Sequence, residues 1–507
     1  MGDCSRNYRI APIAVGILVA AGALSCGPSS RDQAEPEERS NRYLLLDSRI
    51  VESTSNAQLR IGSVSKHEQN PLLREDKPWE PRFDNVYANV IYDEQEEVYK
   101  CWYSPFIVDE RTTSTPIDER TPQRHHYMSV RPRSREMGVC YAVSRDGIEW
   151  TKPELGLVEF EGSTANNIVM RGEDMRGMFY GPHGAGVIKD MREPDPARRY
   201  KMFFRAQEMA VAFSADGVRW SAPILAPQIE APGDTHNIAF WDPRLHKYIG
   251  FTRLKYGRPS VRQVARTESA DFLDWTKAEV VLEGVERRLQ THDMVVFPAA
   301  GVYIGLLGMM EFPDADDNAS TKQHIELAWS PDSRQWHRIE PGRAFIDHSD
   351  ATEIEYDRTP YDWGNLFASA PIFHSDETRI YYGSSDWYFF DWRKGYLALA
   401  TMRPDGWAGY EPIERTEQAS VTTVPLPWSG RTPRLTADIG PNGSVIVTAL
   451  HASGPAETES APILESVTDG EVRGLEDLAE EVESGEPVRL RFDLQDAKLY
   501  SFRFADE

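Results

Sequence analysis

The chain has 507 residues, 40% hydrophobic and 27% charged, with 56 Lys+Arg against 80 Asp+Glu and a formal net charge of −24. That length accommodates two or three domains and a full core without disulfide staples, and the composition excludes wholesale disorder. The acidity, with no Lys/Arg-rich stripe, excludes a nucleic-acid binder, because a phosphate backbone needs a basic surface.

The first element is an address. Arg6 and Arg9 precede an apolar run from Ile10 to Leu24, which as a helix spans about 22 Å, short of a ~30 Å hydrocarbon core. A basic start, a short apolar stretch and small residues read as a secretory signal. Its end, A-L-S-C-G, resembles a bacterial lipoprotein signal with Cys26 as the lipidated residue; a simple signal peptide or an uncleaved anchor are the alternatives. Export is expected in each case, to the periplasm or cell surface, with the membrane touched only through the signal or a lipid anchor. Residues 27–42 are polar and rich in Pro and Ser and read as a flexible linker. Cys101 (C-W-Y) and Cys140 (V-C-Y) each sit in an apolar strand, as a disulfide or as two buried free thiols.

From residue 43 a short pattern recurs. S-R-D-G-I-E-W ends at Trp150, S-A-D-G-V-R-W at Trp220, S-A-D-F-L-D-W at Trp275 and S-P-D-S-R-Q-W at Trp336, with a degenerate R-P-D-G-W at Trp407. Asp-Gly between apolar runs signals a hairpin turn, since Gly accepts positive φ. Upstream of each copy lies a strand, a turn and an aromatic strand: 86–103, 184–204, 237–251, 294–307 and 370–383. Four antiparallel strands recurring every 55–71 residues are the pattern of a β-propeller blade. The expected fold is all-β: a five-bladed β-propeller over 43–415, with its inner strands around a central channel, followed by a small β-sandwich over 420–507. The sandwich reads from L-T-A-D-I, V-I-V-T-A-L, V-R-L-R-F-D-L and K-L-Y-S-F-R-F, which alternate around tight turns.

Aligning the inner strands on their apolar cores shows which residues precede them. The first blade offers Asp84 and Asn85, the second His183, the third Asp234, His236 and Asn237. The fourth offers Gln290, His292 and Asp293, and the fifth Asp362 and Asn365. Polar residues thus gather at one structural position in every blade.

A five-bladed propeller followed by a β-sandwich resembles the invertase/levanase glycoside hydrolases of family 32, and the propeller alone resembles the arabinanase group of family 43. Those families place aspartates in N-D-P-x-G and R-D-P contexts and a glutamate acid in the next blade. None of the three is intact here. The nearest first-blade match is R-F-D-N-V-Y with Asp84, preceded by N-P-L-L (70–73), while R-E-P-D-P (192–196) lies in the turn after an inner strand. The resemblance implies a carbohydrate substrate and no cofactor.

Glycosidic cleavage needs a carboxylic acid and a carboxylate, and a third carboxylate can hold the acid's pKa high. Asp84, Asp234 and Asp293, from three blades, are the candidate catalytic set, with Glu208 and Glu311 as rival acids; capping of strand starts and turns is the alternative role for the aspartates. Asn85, His183, His236, His292 and Arg253 are candidate substrate-binding residues. So is Trp387 in W-Y-F-F-D-W, as a stacking platform or else a buried plug between blades. Three histidines around a channel suit a metal in principle, but without H-x-x-x-H spacing or a cysteine partner they read as hydrogen-bonding or packing groups, and no metal site is assigned. The expected function is an exported glycoside hydrolase of poly- or oligosaccharides. The alternatives are a non-catalytic carbohydrate-binding propeller, and a sialidase-like enzyme, since S-x-D-G-x-x-W resembles the sialidase Asp-box one residue short.

Overall fold

A computed structural model describes residues 41–120, 135–172, 181–257, 261–284, 288–313, 320–451, 457–475, 482 and 484–504. The signal, nearly all of the linker and Cys26 lie outside the described residues. Within them the chain is nearly all strand. The one α-helix is Glu110–Ser114, whose first turn Asp109 caps by accepting from Thr112 N–H. No described helix is long and apolar enough to cross a membrane.

The strands fall into consecutive antiparallel units. The first unit runs Asn89–Asp93, Val98–Tyr103, Arg135–Ser144 and Ile168–Arg171, with Phe106–Asp109 added to the third strand. The second runs His183–Lys189, Tyr200–Arg205, Met209–Ser214 and Ile224–Leu225. The third runs Ile238–Asp242, Lys247–Tyr256, Val261–Ser269 and Glu279–Glu283. The fourth runs Leu289–Ala299, Val302–Glu311, Lys322–Ser330 and His337–Arg338. The fifth runs Asn365–Ala368, Thr378–Ser385 and Gly395–Met402, and its outer edge comes from far upstream, Ser65–Lys66 and Leu73–Arg74. A single parallel bridge, Gln323 to Asn365, joins the fourth and fifth units into one sheet.

First strands of successive units lie against one another. Asn89 Nδ2–H donates to Ala185 O, Asn237 N–H to Gly184 O at 2.9 Å, and Thr235 Oγ1–H to His292 O at 2.9 Å. Between the fourth and fifth units the bond comes from the fourth unit's third strand, where Gln323 N–H donates to Gly364 O, and Val90 N–H donates to Ser369 Oγ, which returns from the fifth unit to the first. Strands pressed on both faces must be apolar on both faces. Met209–Ser214 (M-A-V-A-F-S) is buried throughout for that reason.

The recurring S-x-D motif builds a cage rather than a two-residue hairpin turn. In the second unit Ser214 Oγ–H donates to Asp216 Oδ1, and the same Oδ1 accepts from Val218 and Arg219 N–H, at 3.0, 2.8 and 2.7 Å. Asp146, Asp271 and Asp332 repeat the arrangement. Each loop docks on the preceding unit. Trp102 Nε1–H donates to Gly217 O, Trp275 packs 4.7 Å from Phe203, and Trp336 lies 6.0 Å from Phe251. The first unit's loop meets the fifth, where Tyr381 O–H donates to Gly147 O at 2.9 Å.

A second repeat links the units at the far ends of their first strands. Asp93, Asp190 and Asp242 each accept from a tyrosine hydroxyl of the next unit: Tyr200, Tyr248 and Tyr303. The fourth unit has Ala299 at this place and drops out. The fifth presents His374, whose Nε2 meets Tyr99 O–H of the first unit at 3.0 Å.

The remaining sheet pairs two long strands, Pro433–His451 and Pro487–Phe504. Along the latter, Val488, Leu490, Phe492 and Leu494 face the core while Arg489, Arg491 and Asp493 face out, the period-two alternation of a half-buried strand. This sheet also takes Arg42–Leu44, Val51–Ser55 and Ala57–Ile61 from the start of the chain, and Ala408–Pro412. Sequence gave little sign of these partners, because V-E-S-T-S-N-A-Q-L-R-I is mostly polar. Cys101 and Cys140 are free and buried, and burial raises both thiol pKa values.

Candidate active site

The site is built on a turn preceding the first unit. Asp84, Val86 and Tyr87 all have positive φ, at 59°, 65° and 44°, a region that non-glycine residues, and β-branched ones above all, enter at an energetic cost. Surrounding bonds impose it. Glu75 Oε1 accepts from Phe83 N–H at 2.7 Å and Gly395 N–H at 3.0 Å, and burial pushes the Glu75 carboxyl up to about 7. Arg393 Nη2 donates to Asp84 Oδ1 at 2.8 Å and to Asn85 Oδ1 at 2.6 Å, and Asn85 Nδ2–H donates to Tyr87 O–H at 2.6 Å.

The turn delivers Tyr87 to a meeting point of all five units. Its ring lies 5.6 Å from His183, 5.3 Å from His236, 6.5 Å from His292 and 5.7 Å from Phe367. The histidines therefore surround an aromatic ring. Burial lowers His236 to about 4 and, with the charges of Arg253 and Arg262, lowers His292 well below its usual value. Both imidazoles are neutral at pH 7.

Two of the three candidate aspartates flank this hub. Asp234 accepts from Arg253 Nη2 at 2.6 Å and from Lys255 Nζ at 2.9 Å, and its other oxygen is 3.2 Å from His183 Nε2. Burial opposes the charged form, but Arg253, His183 and Lys255 outweigh it and hold the carboxyl well below its usual value. Asp293 is fully buried. Its Oδ1 accepts from Gln323 Nε2–H at 2.9 Å and lies 3.0 Å from His292 Nδ1, whereas Oδ2 has no hydrogen-bond partner among the described residues. Burial pushes this carboxyl up to about 7, with Gln323 and Arg253 pulling back in part. First-strand irregularities at His183/Gly186 and Thr291/Met294 re-aim the side chains here.

The other candidates lie elsewhere in this framework. Asp84 is buried against Arg393, with Arg82 Nε at 3.8 Å. Trp387 is buried, stacked on Trp363 at 5.2 Å and donating from Nε1 to Asp391. Glu208 is exposed on a turn. Glu311 is half-exposed and pairs with His324 Nδ1 at 2.8 Å; burial opposes the His324 charge, but Glu311 and Glu326 overcome it and raise the imidazole to about 9. Sequence reasoning missed Tyr87, Gln323, Arg205, Lys255 and Arg262. Its available signal was period two: Arg253 and Lys255 share a strand face, and the register sets Arg262 opposite Lys255.

No known family profile matches the chain, and no curated protein matches it. Among solved structures, a Bacteroides ovatus protein described as a glycoside hydrolase matches at 14% identity and TM-score 0.45, covering 67% of this chain and 96% of that one. An N-acetylgalactosamine deacetylase from F. plautii, in complex with blood group B trisaccharide, matches at 14% identity and TM-score 0.42, covering 69% and 97%. The family GH32 β-fructofuranosidase of Bombyx mori matches at 12% identity and TM-score 0.34, covering 87% and 95%. Glycoside hydrolases thus figure among the structures this chain resembles, in line with the sequence resemblance. At these TM-scores the likeness carries no residue role, substrate or mechanism to this chain.

Proposed function

We propose that the five units are the blades of a five-bladed propeller, closed by a β-sandwich, and that the protein hydrolyses glycosidic bonds of poly- or oligosaccharides. The observation that carries this reading is the divergence of two aspartates from adjacent units. Asp234 is held ionised while burial lets Asp293 keep its proton up to about pH 7, with the Arg253 charge acting on both. Two carboxyl groups whose surroundings push their pKa values apart supply the acid and the base or nucleophile that cleavage of a glycosidic bond requires. Asp293 protonates the leaving oxygen through Oδ2, and Asp234 acts on the anomeric centre directly or through water. Asp84 anchors the turn that sets Tyr87 between them. The basic start, the apolar run to Leu24 and Cys26 support export and lipid anchoring.

Asp293→Asn and Asp234→Asn keep shape and hydrogen bonding while removing the titratable group. On a glycan panel with product analysis, each is expected to cut turnover by about 10²–10⁴-fold, with melting curves showing that the fold survives. Wild-type turnover in both variants overturns the assignment. The complete burial of Asp293 favours a second reading, binding without cleavage. It prevails if glycans bind, none is cleaved, and Asp234 is needed for binding.

A further inference from the structure

Beside Asp234 stand more cations than that carboxylate balances. Arg253 and Lys255 lie two apart on one strand, and Arg262 faces Lys255 across the ladder, so all three project from one face. Arg205 ends the second strand of the preceding unit and flanks the turn before Asp234: a Cβ built on Gly233 would sit 3.3 Å from the Arg205 Cβ. Their charges press on one another. Burial and Arg253 pull Arg262 down to about 9, and the same two causes lower Lys255 and, with Asp234 pulling back, Arg205. Asp234 is the carboxylate that acts on all four.

Donors are also left idle. Arg253 is 3% exposed, yet among the described residues its Nε and Nη1 have no hydrogen-bond partner, and neither does Nε of Arg262. A buried guanidinium with unused N–H groups is costly unless a ligand brings acceptors. Planar guanidinium forks match the paired oxygens of a carboxylate or sulfate. In a chain of net charge −24, whose surface at large repels anions, this concentration of positive charge is local and specific.

We propose that Arg205, Arg253, Lys255 and Arg262 bind an oxyanion substituent of the glycan, a sugar carboxylate or a sulfate ester, so that the substrate is an anionic saccharide. The anion site sits beside the carboxylate pair, which places the charged sugar at the bond to be cleaved. The glycan part of this proposal rests on the hydrolase reading; the anion part does not.

The test uses the full chain. Melting is followed with D-glucuronate, glucose 6-sulfate and glucose at constant ionic strength, and hydrolysis is assayed on uronate-containing, sulfated and neutral glycans. An upward melting shift with glucuronate or glucose 6-sulfate, absent with glucose, is expected, and the better of the two anions identifies carboxylate or sulfate. Arg262→Gln and Arg205→Gln are expected to raise KM for the anionic glycan about 10- to 100-fold, the loss of one or two charge-assisted hydrogen bonds, with kcat little changed. Arg262→Lys should recover part of that loss. Added salt should weaken binding in the unaltered protein, which keeps the test open if the variants do not fold. If neutral glycans alone are cleaved, and Asp293 is needed, the hydrolase reading stands and the anion site falls. If the anions shift melting but no glycan is cleaved, the anion site stands and the hydrolase reading falls. No shift with either anion, together with unchanged KM in the variants, overturns the proposal outright.

Discussion

Burial keeps Asp293 protonated up to about pH 7, while Arg253, His183 and Lys255 keep Asp234 charged far below that. A general acid is lost as pH rises through its pKa, so kcat/KM is expected to fall above about pH 7. The opposing acid limb should lie below the usual carboxylate range, and a pH–rate profile checks both. The same shift bears on stability. The Asp293 carboxyl titrates near 3.8 unfolded and near 7 folded, so the folded protein holds the proton more tightly and stability falls as pH rises between those values. Asp293→Asn has no proton to lose. It should be more stable than wild type at pH 8 by on the order of a few kcal/mol, and match it near pH 4, as read by urea denaturation. A variant that is less stable at both pH values would show that the site is not desolvated as described. The placement of Asp234 and Asp293 near the starts of inner strands was legible in sequence, although Asp234 precedes its strand Ile238–Asp242 while Asp293 lies within Leu289–Ala299. Tyr87 was not, since it arrives through a left-handed turn, and Arg262 was not, since only the strand register sets it opposite Lys255.

Elements show where a correct motif hid a different local structure. Asp-Gly suggested a turn made possible by glycine, yet Phe272 and Ser333 occupy the place of Gly147 and Gly217, all with positive φ. The aspartate cage, not glycine, imposes the conformation. Asp216→Ala removes the acceptor for two backbone N–H groups and should cost about 1–3 kcal/mol by urea denaturation. A negligible change would assign the turn to glycine after all. The tryptophans of the motif are not equivalent. Trp275 is 4% exposed, and Trp275→Ala should cost about 3–5 kcal/mol; the half-buried Trp150, Trp220 and Trp336 should cost less. The aspartate–tyrosine links between units escaped sequence reading because each joins residues in different repeats, with no local spacing to mark them. Tyr303→Phe leaves Asp242 short of a donor and should cost about 1–3 kcal/mol in the same denaturation experiment.

At the scale of the whole molecule, both ends of the repeating region run into one sheet. Arg42–Leu44, Val51–Ser55 and Ala57–Ile61 enter it before the first unit, and Ala408–Pro412, Ala419–Thr423, Pro433–His451 and Pro487–Phe504 after the fifth. Removing everything beyond residue 415 strips Val421, Leu435, Val447, Leu490 and Phe492 from a core that also holds Leu45 and Ile50. The truncated chain is expected to aggregate or melt well below the full chain by calorimetry. An equally heat-stable, monomeric product would make the last sheet an independent module. The repeats and the long alternating strands were legible in sequence, whereas the pairing of the polar early strands depends on partners more than 350 residues downstream. That arrangement also sets a schedule. Leu73 pairs with Leu397, so at about 5–20 residues per second a ribosome needs roughly 16–65 s to supply the partner of a strand already made. Throughout that interval the early segment waits unpaired while the intervening units emerge, and the fifth unit gains its outer edge only after the other four have been made.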